Sequence, residues 1–468
     1  VAAATASSPE YRGETRGNTW TPPGGLVAGQ PYFWRIDIVR TGSTTTGAVK
    51  QFSTLPASIE PALADASGIT GGPPVRVPLK VTAAGDVTWE VSESLPWITV
   101  ESPSGTGSGT ATLVLSPAAL AKNIYTANVT LTVNGSPVPI PVSFDVRALE
   151  IVKLEGEPGS ALIYGLNNDS ETGHVVAIDA ATGVMTATAR VSDNPTDIDI
   201  AADGVYVICF EGEGKLHRFK ADLTAGEVRT LTGLQNTGIG HDYRPRVAAR
   251  GDGIVYWRDL TDYRPRVHTL NFETGAEVGT PIGVPGPSDS TGSDDIQMGP
   301  DGTTLLISGR QPLSVGGKYT LWQHTLAPAP VTAASTNAII EHLQGSPILT
   351  APGSPMVFAG EWGFRPAALR SPVSRFSMAL RAATADGALV FSNTAIYRGG
   401  DGQFIDFLPA VTDILATDGA DSLVYFAGGA LGRLSLTPWK YDHLSTPPDG
   451  SSVSAMPSQL KIPAMPGE

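Results

Sequence analysis

Cysteine is nearly absent from this chain, since Cys209 is the single one in 468 residues. A disulfide within the chain is therefore excluded. Cys209 lies in the apolar run 205–210, which predicts a small buried hydrophobe rather than a reactive thiol. A near absence of oxidisable thiols is typical of bacterial surface proteins, and it predicts a location at the cell surface or outside the cell.

Charge is also scarce, and positive charge is the scarcer sign. Charged residues make up 16% of the chain, and the formal net charge is −14. No run of lysine or arginine interrupts this negative field, which excludes nucleic acid as an expected partner. No apolar stretch reaches the roughly 18 residues of a membrane span, and no signal peptide is found. Because the sequence begins with Val1, we expect a fragment or a mature product.

Glycine and proline, in contrast, are abundant, with 53 and 38 residues. This balance favours many short strands and tight turns over long helices. A chain of 468 residues is also too long for one ordinary core. The composition therefore predicts an all-β protein of several domains.

The first domain segment, residues 1–57, closes with two alternating apolar runs at 26–39 and 48–55. Such alternation predicts two half-buried strands joined as a hairpin. The segment Leu26 to Ile36 fits the pattern L-x-x-G-x-x-Y-x-W-R-V, and the later run contains Phe52-Ser53-Thr54. It resembles the closing half of a fibronectin type III domain. The resemblance implies that Tyr32 is a corner tyrosine whose hydroxyl bonds back to the preceding turn.

Residues 58–148 contain two tryptophan strands followed by a glycine-rich stretch: Trp89-Glu90-Val91, Trp97-Ile98-Thr99-Val100 and Ser104-Gly105-Thr106-Gly107. This segment resembles a BACON domain, a small β-sandwich of bacterial secreted proteins. The family name records a suspected carbohydrate-binding role, so Trp89 and Trp97 are either sugar-stacking platforms or core residues. Their places on alternating strands favour the core.

Residues 149–440 show a looser recurrence, in which strands and Asp/Gly turns return at intervals of roughly 40 to 50 residues, as propeller blades do. Candidate innermost strands adjoin the turns at Asp252-Gly253, Asp301-Gly302 and Asp386-Gly387. The count gives six or seven blades, with seven preferred. The run Ile178 to Gly183 matches the first six positions of the I-D-x-x-T-G-x-V pattern, and the segment resembles propellers in surface-layer and quinoprotein-like proteins that carry it. The predicted fold class is thus all-β, with Ig/fibronectin-type β-sandwiches plus this propeller.

The last segment, residues 441–468, contains Pro447, Asp449-Gly450, Val453 and Pro457. It resembles the opening strands of a fibronectin type III domain. Because a sandwich needs about seven strands, each terminal half requires a partner. We expect a head-to-tail array in which the halves of neighbouring units complete one sandwich; two unrelated half-domains are the alternative. The expected assembly residues are Tyr32, Trp34, Phe52, Val453, Leu460 and Ile462.

One internal repetition suggests a ligand site, because the hexapeptide at 242–247 returns at 262–267. On adjacent strands of one blade, the two copies would place Tyr/Arg pairs together, able to stack on a sugar or grip a carboxylate. Pairing of the arginines with nearby aspartates is the alternative. The candidate contacts are Tyr243, Arg244, Arg246, Tyr263, Arg264, Arg266, Trp257 and Trp362.

Nothing in the sequence indicates conventional catalysis. The seven histidines are scattered, and no phosphate-binding loop is present, so no enzyme activity or cofactor is expected. A propeller enzyme would need acid, base or metal ligands that converge on the axis, and no such set is visible. Asp289, Asp294 and Asp295 form a weak calcium candidate in a loop that is otherwise solvated.

The expected function is accordingly a structural repeat unit of an extracellular filament, stalk or giant surface adhesin, assembled head to tail. Its partners would be neighbouring copies of itself. The alternative is a carbohydrate-binding or cell-adhesion module without catalysis, for which polysaccharide is the partner.

Overall fold

The computed structural model describes residues 31–441 except 54–55, 84, 157–159, 170–171, 212, 225, 236–244, 260–265, 284–294, 311–318, 327–334, 341–346, 352, 370, 409–413 and 418–421. Strands dominate these residues. Helix is confined there to a 3-10 turn at Pro366–Ala368 and one short α-helix, α1, at Thr437–Tyr441. The predicted all-β class is confirmed.

The first described segment contains two strand pairs. β1 (Pro31–Trp34) pairs antiparallel with β4 (Lys50–Ser53), and β2 (Ile38–Arg40) pairs with β3 (Ser43–Thr45) at the tip. The predicted hairpin pairing is therefore confirmed. The burial differs from the expectation, because Phe33, Trp34, Ile36, Ile38 and Val49 are exposed rather than half-buried.

Residues 57–147 form two sheets around one core, called here the two-sheet unit. Its strands are β5 (Ala57–Glu60), β6 (Ala64–Ile69), β7 (Val75–Ala83), β8 (Thr88–Ser92), β9 (Ile98–Glu101), β10 (Ser104–Thr106), β11 (Gly109–Leu115), β12 (Asn123–Val133) and β13 (Ser136–Arg147). One sheet has the order β10-β8-β12-β13-β6 and the other β5-β7-β11-β9. Alternating positions, such as Leu113 and Leu131, point into the shared core.

Both tryptophans of the two-sheet unit belong to this core. The Trp89 side chain is 4% exposed, and its Nε1 donates to Gly107 O at 2.8 Å. The indole fits because Gly105 and Gly109 lack side chains: a Cβ there would lie 2.5 Å and 2.8 Å from the ring. Trp97 is half-buried and stacks on Phe144, with ring centroids 5.9 Å apart. The expectation that packing explains these residues is confirmed.

Seven further sheets follow along the chain, called blades 1 to 7. Blade 1 contains β14 (Ile151–Gly156), β15 (Leu162–Asn168), β16 (Gly173–Asp179) and β17 (Met185–Arg190); blade 2 contains β18 (Pro195–Ala201), β19 (Gly204–Glu211), β20 (Glu213–Phe219) and β21 (Glu227–Gln235). Blade 3 contains β22 (Arg246–Ala249), β23 (Ile254–Asp259), β24 (Arg266–Asn271), β25 (Ala276–Glu277) and β26 (Ile282–Gly283); blade 4 contains β27 (Ile296–Met298), β28 (Thr304–Arg310), β29 (Tyr319–Thr325) and β30 (Ser335–Ile340).

The last three sheets have shorter strands. Blade 5 contains β31 (Ile348–Thr350), β32 (Val357–Ala359), β33 (Trp362–Phe364) and β34 (Ser374–Arg375); blade 6 contains β35 (Ala382–Ala383), β36 (Leu389–Phe391), β37 (Ala395–Arg398) and β38 (Phe404–Phe407); blade 7 contains β39 (Ile414–Thr417), β40 (Ser422–Ala427) and β41 (Ala430–Ser435).

The blades close into a ring. The first strand of each blade contacts the first strand of the next, and β39 contacts β14, which joins the last blade to the first. An apolar cluster fills each of the seven spaces between neighbouring blades. In β19, for example, Val207 faces blade 1 while Tyr206 faces blade 3. The fold is a seven-bladed β-propeller, as the sequence recurrence predicted.

The Asp-Gly turns mark a fixed place in the blade. Asp203-Gly204, Asp252-Gly253, Asp301-Gly302 and Asp386-Gly387 each lie between the first and second strands of a blade. Glycine suits this place because Gly253 and Gly302 have φ of +79° and +63°. The apolar strand that follows each turn, such as β28, is therefore the second strand and not the innermost one.

Candidate functional site

The two copies of the hexapeptide lead into two strands of blade 3 that are not adjacent. Arg246 begins β22 and Arg266 begins β24, and β23 lies between these strands. The expected placement on adjacent strands is therefore wrong. The 20 residues that separate the two copies include all of β23, so the copies lie two strands apart in the sheet. Tyr243, Arg244, Tyr263 and Arg264 lie outside the described residues.

The two candidate tryptophans have different surroundings. Trp257 has no exposed surface and stacks on His268 with ring centroids 4.2 Å apart, inside the core between blades 2 and 3. A ligand cannot reach that ring in this structure. Trp362, on β33, is half-buried, and the guanidinium of Arg375 lies 4.9 Å from the centre of its ring. Arg266 is exposed.

Some of the remaining candidate residues lie in the described part of the chain, and the others lie outside it. Tyr32 is half-buried and Trp34 is exposed on β1, and Phe52 lies opposite Tyr32 in the register of β4. Asp295 is buried directly before β27. Val453, Leu460, Ile462, Asp289 and Asp294 lie outside the described residues.

A charged cluster lies at the propeller axis, on the innermost strands of four consecutive blades. We call it the axial cluster. It consists of Lys153 and Glu155 of blade 1, Asp197 and Asp199 of blade 2, Arg246 of blade 3, and Asp295 and Gln297 of blade 4. In Lys153/Glu155 and Asp197/Asp199 the two residues are spaced by two, so both side chains of each pair leave the same face of the strand.

Asp197 is the centre of the axial cluster. Its Oδ1 accepts from Lys153 Nζ at 2.6 Å and lies 3.4 Å from Arg246 Nη1, while its Oδ2 accepts from Val247 N at 3.0 Å. Lys153 Nζ also donates to Ile198 O at 3.0 Å and lies 3.3 Å from Glu155 Oε2. One carboxylate thus connects blades 1, 2 and 3.

Other carboxylates near the axis also accept a hydrogen bond from a backbone N–H of the next blade, as Asp197 does from Val247 N. Asp199 Oδ2 accepts from Ala249 N at 2.6 Å, and Asp295 Oδ2 accepts from Ile348 N at 2.8 Å. Asp203, in the turn after β18, accepts from Gly253 N at 2.7 Å. Because buried backbone N–H groups must be paired, these carboxylates supply acceptors that strand pairing between blades does not provide.

The electrostatics of the axial cluster follow from burial and an excess of carboxylates. Burial raises the pKa of Asp199 to about 7, and the charge of Glu155 adds to the rise. Burial likewise raises the pKa of Glu155 and of Asp295. Burial opposes the charge of Lys153, but Asp197 and Glu155 together outweigh it and raise the pKa of its ammonium. Near neutral pH the cluster therefore holds a fixed cation beside a carboxyl that is partly protonated.

Chemically, the axial cluster contains a proton donor and acceptor in Asp199 and a cation in Lys153. Its side chains are nevertheless occupied by contacts between blades, which gives the arrangement a structural role. Sequence reasoning missed this set, although the alternating pairs Lys153/Glu155 and Asp197/Asp199 were visible signals. Both sit inside apolar strands, where a charged side chain needs an ionic or hydrogen-bonding partner.

No family model matches the chain, and no curated protein sequence matches it. Among solved structures it is similar to TolB from Acinetobacter baumannii, with 11% identity, 61% of this chain and 60% of that chain covered, and a TM-score of 0.37. It is also similar to the Dos1 propeller (12% identity, 66% and 86% covered, TM-score 0.40) and to BamB from Moraxella catarrhalis (13%, 67% and 95%, TM-score 0.38). The similarity to TolB thus spans less than two thirds of the TolB chain. The assignment to the β-propellers rests on the closed ring of seven sheets in this chain.

Two further properties bear on partners. In the ranges that the structure describes, no helix is both long and apolar enough to cross a membrane. Within the same ranges, no three His, Cys, Asp or Glu side chains are grouped so that they could hold a metal ion.

Cys209 is fully buried in the core between blades 1 and 2, as predicted, and burial raises the pKa of its thiol.

Proposed function

We propose that this protein is a structural repeat unit of an extracellular filament, stalk or surface adhesin, joined head to tail to neighbouring copies. The observation that carries the proposal is the apolar surface of residues 31–53. Trp34, Ile36 and Ile38 stand at alternate positions, with exposed fractions of 47%, 66% and 54%. Exposed large apolar side chains at alternate positions of one segment favour a contact with another protein surface.

The polar side chains between these residues strengthen the argument. Arg35 and Asp37 form an ion pair of 2.8 Å and are the less exposed residues, with side chains 14% and 27% exposed. Asp37 Oδ1 also accepts from Gly47 N at 3.0 Å, and the Arg35 hydrogen bond lowers the pKa of Asp37. From residue 34 to residue 38 the apolar side chains are thus the more exposed ones and the charged side chains the less exposed ones. This pattern suits one layer of a sandwich whose second layer comes from elsewhere.

In this proposal the second layer is a fibronectin-type half from a neighbouring copy, which includes Val453, Leu460 and Ile462. The two-sheet unit serves as a BACON-like sandwich and spacer. The propeller is a rigid disc, because its ring is closed and its axis is bound by ionic contacts between blades. The location outside the cell belongs to the same proposal.

Self-association tests the proposal directly. We expect the purified chain to form concentration-dependent oligomers or fibres in sedimentation velocity and electron cryomicroscopy, and Ile36→Lys to abolish them. Phe407→Lys is the matched control, because Phe407 is 70% exposed but lies on blade 6. A chain that stays monomeric at all concentrations, or an Ile36→Lys variant that still associates, would refute the proposal.

A crosslink identifies the partner surface. With Cys209 buried, a Trp34→Cys/Leu460→Cys variant has two reactive thiols. We expect oxidation to link one copy to the next and to produce a ladder of multimers. Crosslinks confined to single chains would instead show that each chain completes its own sandwich.

Trp362 favours a second candidate, carbohydrate binding. Its ring is half-buried against the core between blades 4 and 5, and the Arg375 guanidinium lies over it at 4.9 Å, so the exposed part of the ring has a cation beside it. Binding on a glycan array that is lost in Trp362→Ala would support this function. An array without any bound glycan would remove it.

A further inference from the structure

A buried histidine lies at the joint between the two-sheet unit and the propeller. His174, on β16 of blade 1, has no exposed surface, and its Nε2 lies 2.8 Å from Ser67 Oγ on β6. The Ser67 hydroxyl donates its one proton to Asp145 O at 3.1 Å. With the hydroxyl proton on Asp145 O, His174 Nε2 is the donor of its contact with Ser67 Oγ, so a second proton on the ring must go to Nδ1.

Apolar and ionic contacts surround this hydrogen bond. Ile69, at the end of β6, is fully buried and packs with Ile151 and Ile163 of blade 1. Lys122 Nζ of the two-sheet unit lies 3.3 Å from Asp169 Oδ2 of the propeller. The joint is thus a small core with polar contacts, and His174 and Asp169 are buried titratable groups within it.

Burial disfavours an imidazolium at His174 and outweighs the attraction of the nearby carboxylates Asp169 and Asp145. Asp169 is paired with Lys122, and Asp145 accepts from Arg147 Nε at 2.8 Å. On the neighbouring strand β17, Arg190 stands directly opposite His174 and repels a second positive charge. Both carboxylates near the ring have cationic partners of their own, so in the docked joint their attraction does not make up for the burial of a charge on His174.

We propose that His174 makes this joint acid-sensitive, so that protonation of its imidazole weakens the docking of the two-sheet unit on the propeller. The proposal is independent of the assembly described above.

The size of the effect follows from linkage. Burial lowers the pKa of His174 to about 4, whereas an exposed histidine titrates near 6.5. The undocked form binds the proton more tightly, so docking is at full strength above about pH 6.5 and weakens as the pH falls toward 4. A difference of about 2.5 pKa units corresponds to a fall of roughly 300-fold in the docking constant.

The distance between the two units measures docking in the full chain. Dyes attached at Lys80→Cys and Lys220→Cys, two exposed positions on the two-sheet unit and blade 2, would report it by energy transfer. We expect one narrow distance near pH 7.5 and a broader, longer distribution near pH 4.5. His174→Gln, which keeps a donor for Ser67 but cannot titrate, should show no change over this range.

His217→Gln is the matched control. His217 is also buried, burial lowers its pKa to about 4, and its Nε2 lies 2.9 Å from Ser192 Oγ, but it sits within the propeller. Its variant should keep the wild-type response. An unchanged distance in the wild type until the whole chain unfolds, or a wild-type response in His174→Gln, would overturn the proposal.

A direct titration covers the case in which His174→Gln does not fold. NMR of the wild-type chain with labelled histidine should show the His174 ring neutral at pH 5. The onset of its protonation should coincide with the change in distance. Titration near pH 6.5 in a chain that remains docked would overturn the proposal as well.

Discussion

Lys153 and Asp197 connect the innermost strands of blades 1 and 2 through a hydrogen bond of 2.6 Å. The same carboxylate accepts from Val247 N of blade 3. Backbone contacts of this type recur at Asp199 with Ala249 and at Asp203 with Gly253, always 50 positions apart. The constant offset shows that β18 and β22 run parallel, each beside the axis.

Lys153→Met should destabilise the propeller. Asp197 has a side chain that is 1% exposed, and the substitution leaves Arg246, at 3.4 Å, as its nearest described cation. Removing one partner of a buried ion pair costs about 3 to 5 kcal/mol, because the other charge is left in a poorly solvating site. The midpoint of urea unfolding, followed by tryptophan fluorescence, measures the loss.

A double variant shows whether the loss of stability comes from the unpaired charge of Asp197 or from the changed packing at position 153. Lys153→Met/Asp197→Asn removes both charges and should recover much of the lost stability. Lys215→Met is the control, since its ammonium makes an exposed bond to Thr230 Oγ1 on the outer strands of blade 2. Equal destabilisation by the Lys153 and Lys215 variants would contradict the role assigned to the axial pair.

Asp199→Asn should stabilise the protein at alkaline pH and have little effect in acid. Burial raises the pKa of Asp199 to about 7, while an unfolded aspartate titrates near 3.9. The native carboxyl therefore favours folding below about pH 4, and that contribution is lost as the pH rises through 7, by about 4 kcal/mol in all. An asparagine oxygen can still accept from Ala249 N, so the interblade bond is retained.

Urea unfolding of the wild type and Asp199→Asn at pH 5 and pH 8.5 checks this dependence. The stability difference between the two proteins should grow toward high pH. Asp252→Asn is the control, because the Arg250 hydrogen bond lowers the pKa of Asp252 and places its titration below this pH range; its stability difference from the wild type should be constant. A constant difference between wild type and Asp199→Asn across this pH range would show that Asp199 is ionised in the native state.

Local patterns in the sequence predicted much of the fold. The Asp-Gly turns at 252–253, 301–302 and 386–387 predicted the positions of three apolar strands, and the recurrence predicted the ring of blades. The first strand of the propeller, β14, was missed. It contains Val152, Lys153 and Glu155, and the two charged residues interrupt the apolar pattern by which a strand is recognised in the sequence.

The axial cluster could not be derived from the sequence because its members come from four blades. Asp197 and Arg246 are 49 positions apart and meet only when the ring closes. Prediction of Asp295 as a calcium ligand relied on its acidic neighbours along the chain, whereas its contact in the structure is Ile348 N, 53 positions away. Contacts between blades depend on the closed geometry, which no local pattern encodes.

Gly105→Ala should destabilise the two-sheet unit. A Cβ at this position would lie 2.5 Å from Cζ2 of Trp89, which is buried and directly opposite in β8. The indole cannot move without disrupting its bond to Gly107 O, so we expect a loss of about 1 to 3 kcal/mol from overpacking. Near-ultraviolet circular dichroism during thermal unfolding reports the Trp89 environment.

Gly85→Ala is the control for this substitution. A Cβ at Gly85 meets nothing within 4 Å, so the variant should be neutral, or slightly more stable through the reduced freedom of its unfolded chain. If Gly105→Ala behaved like Gly85→Ala, the indole would not occupy the glycine pocket. The core role of Trp89 would then be wrong.

His324→Leu should leave the propeller as stable as the wild type or stabilise it. The His324 side chain is 3% exposed, and neither ring nitrogen has a hydrogen-bond partner in the part of the chain that the structure describes. Burial lowers the pKa of the ring, which marks its poor solvation. An apolar side chain of similar size removes the cost of burying unpaired nitrogens, about 1 to 3 kcal/mol. His217→Leu, which breaks the bond to Ser192 Oγ, should instead lower the urea midpoint. Destabilisation by both substitutions alike would indicate that His324 has a partner, such as a buried water, that makes it part of the blade 4 structure.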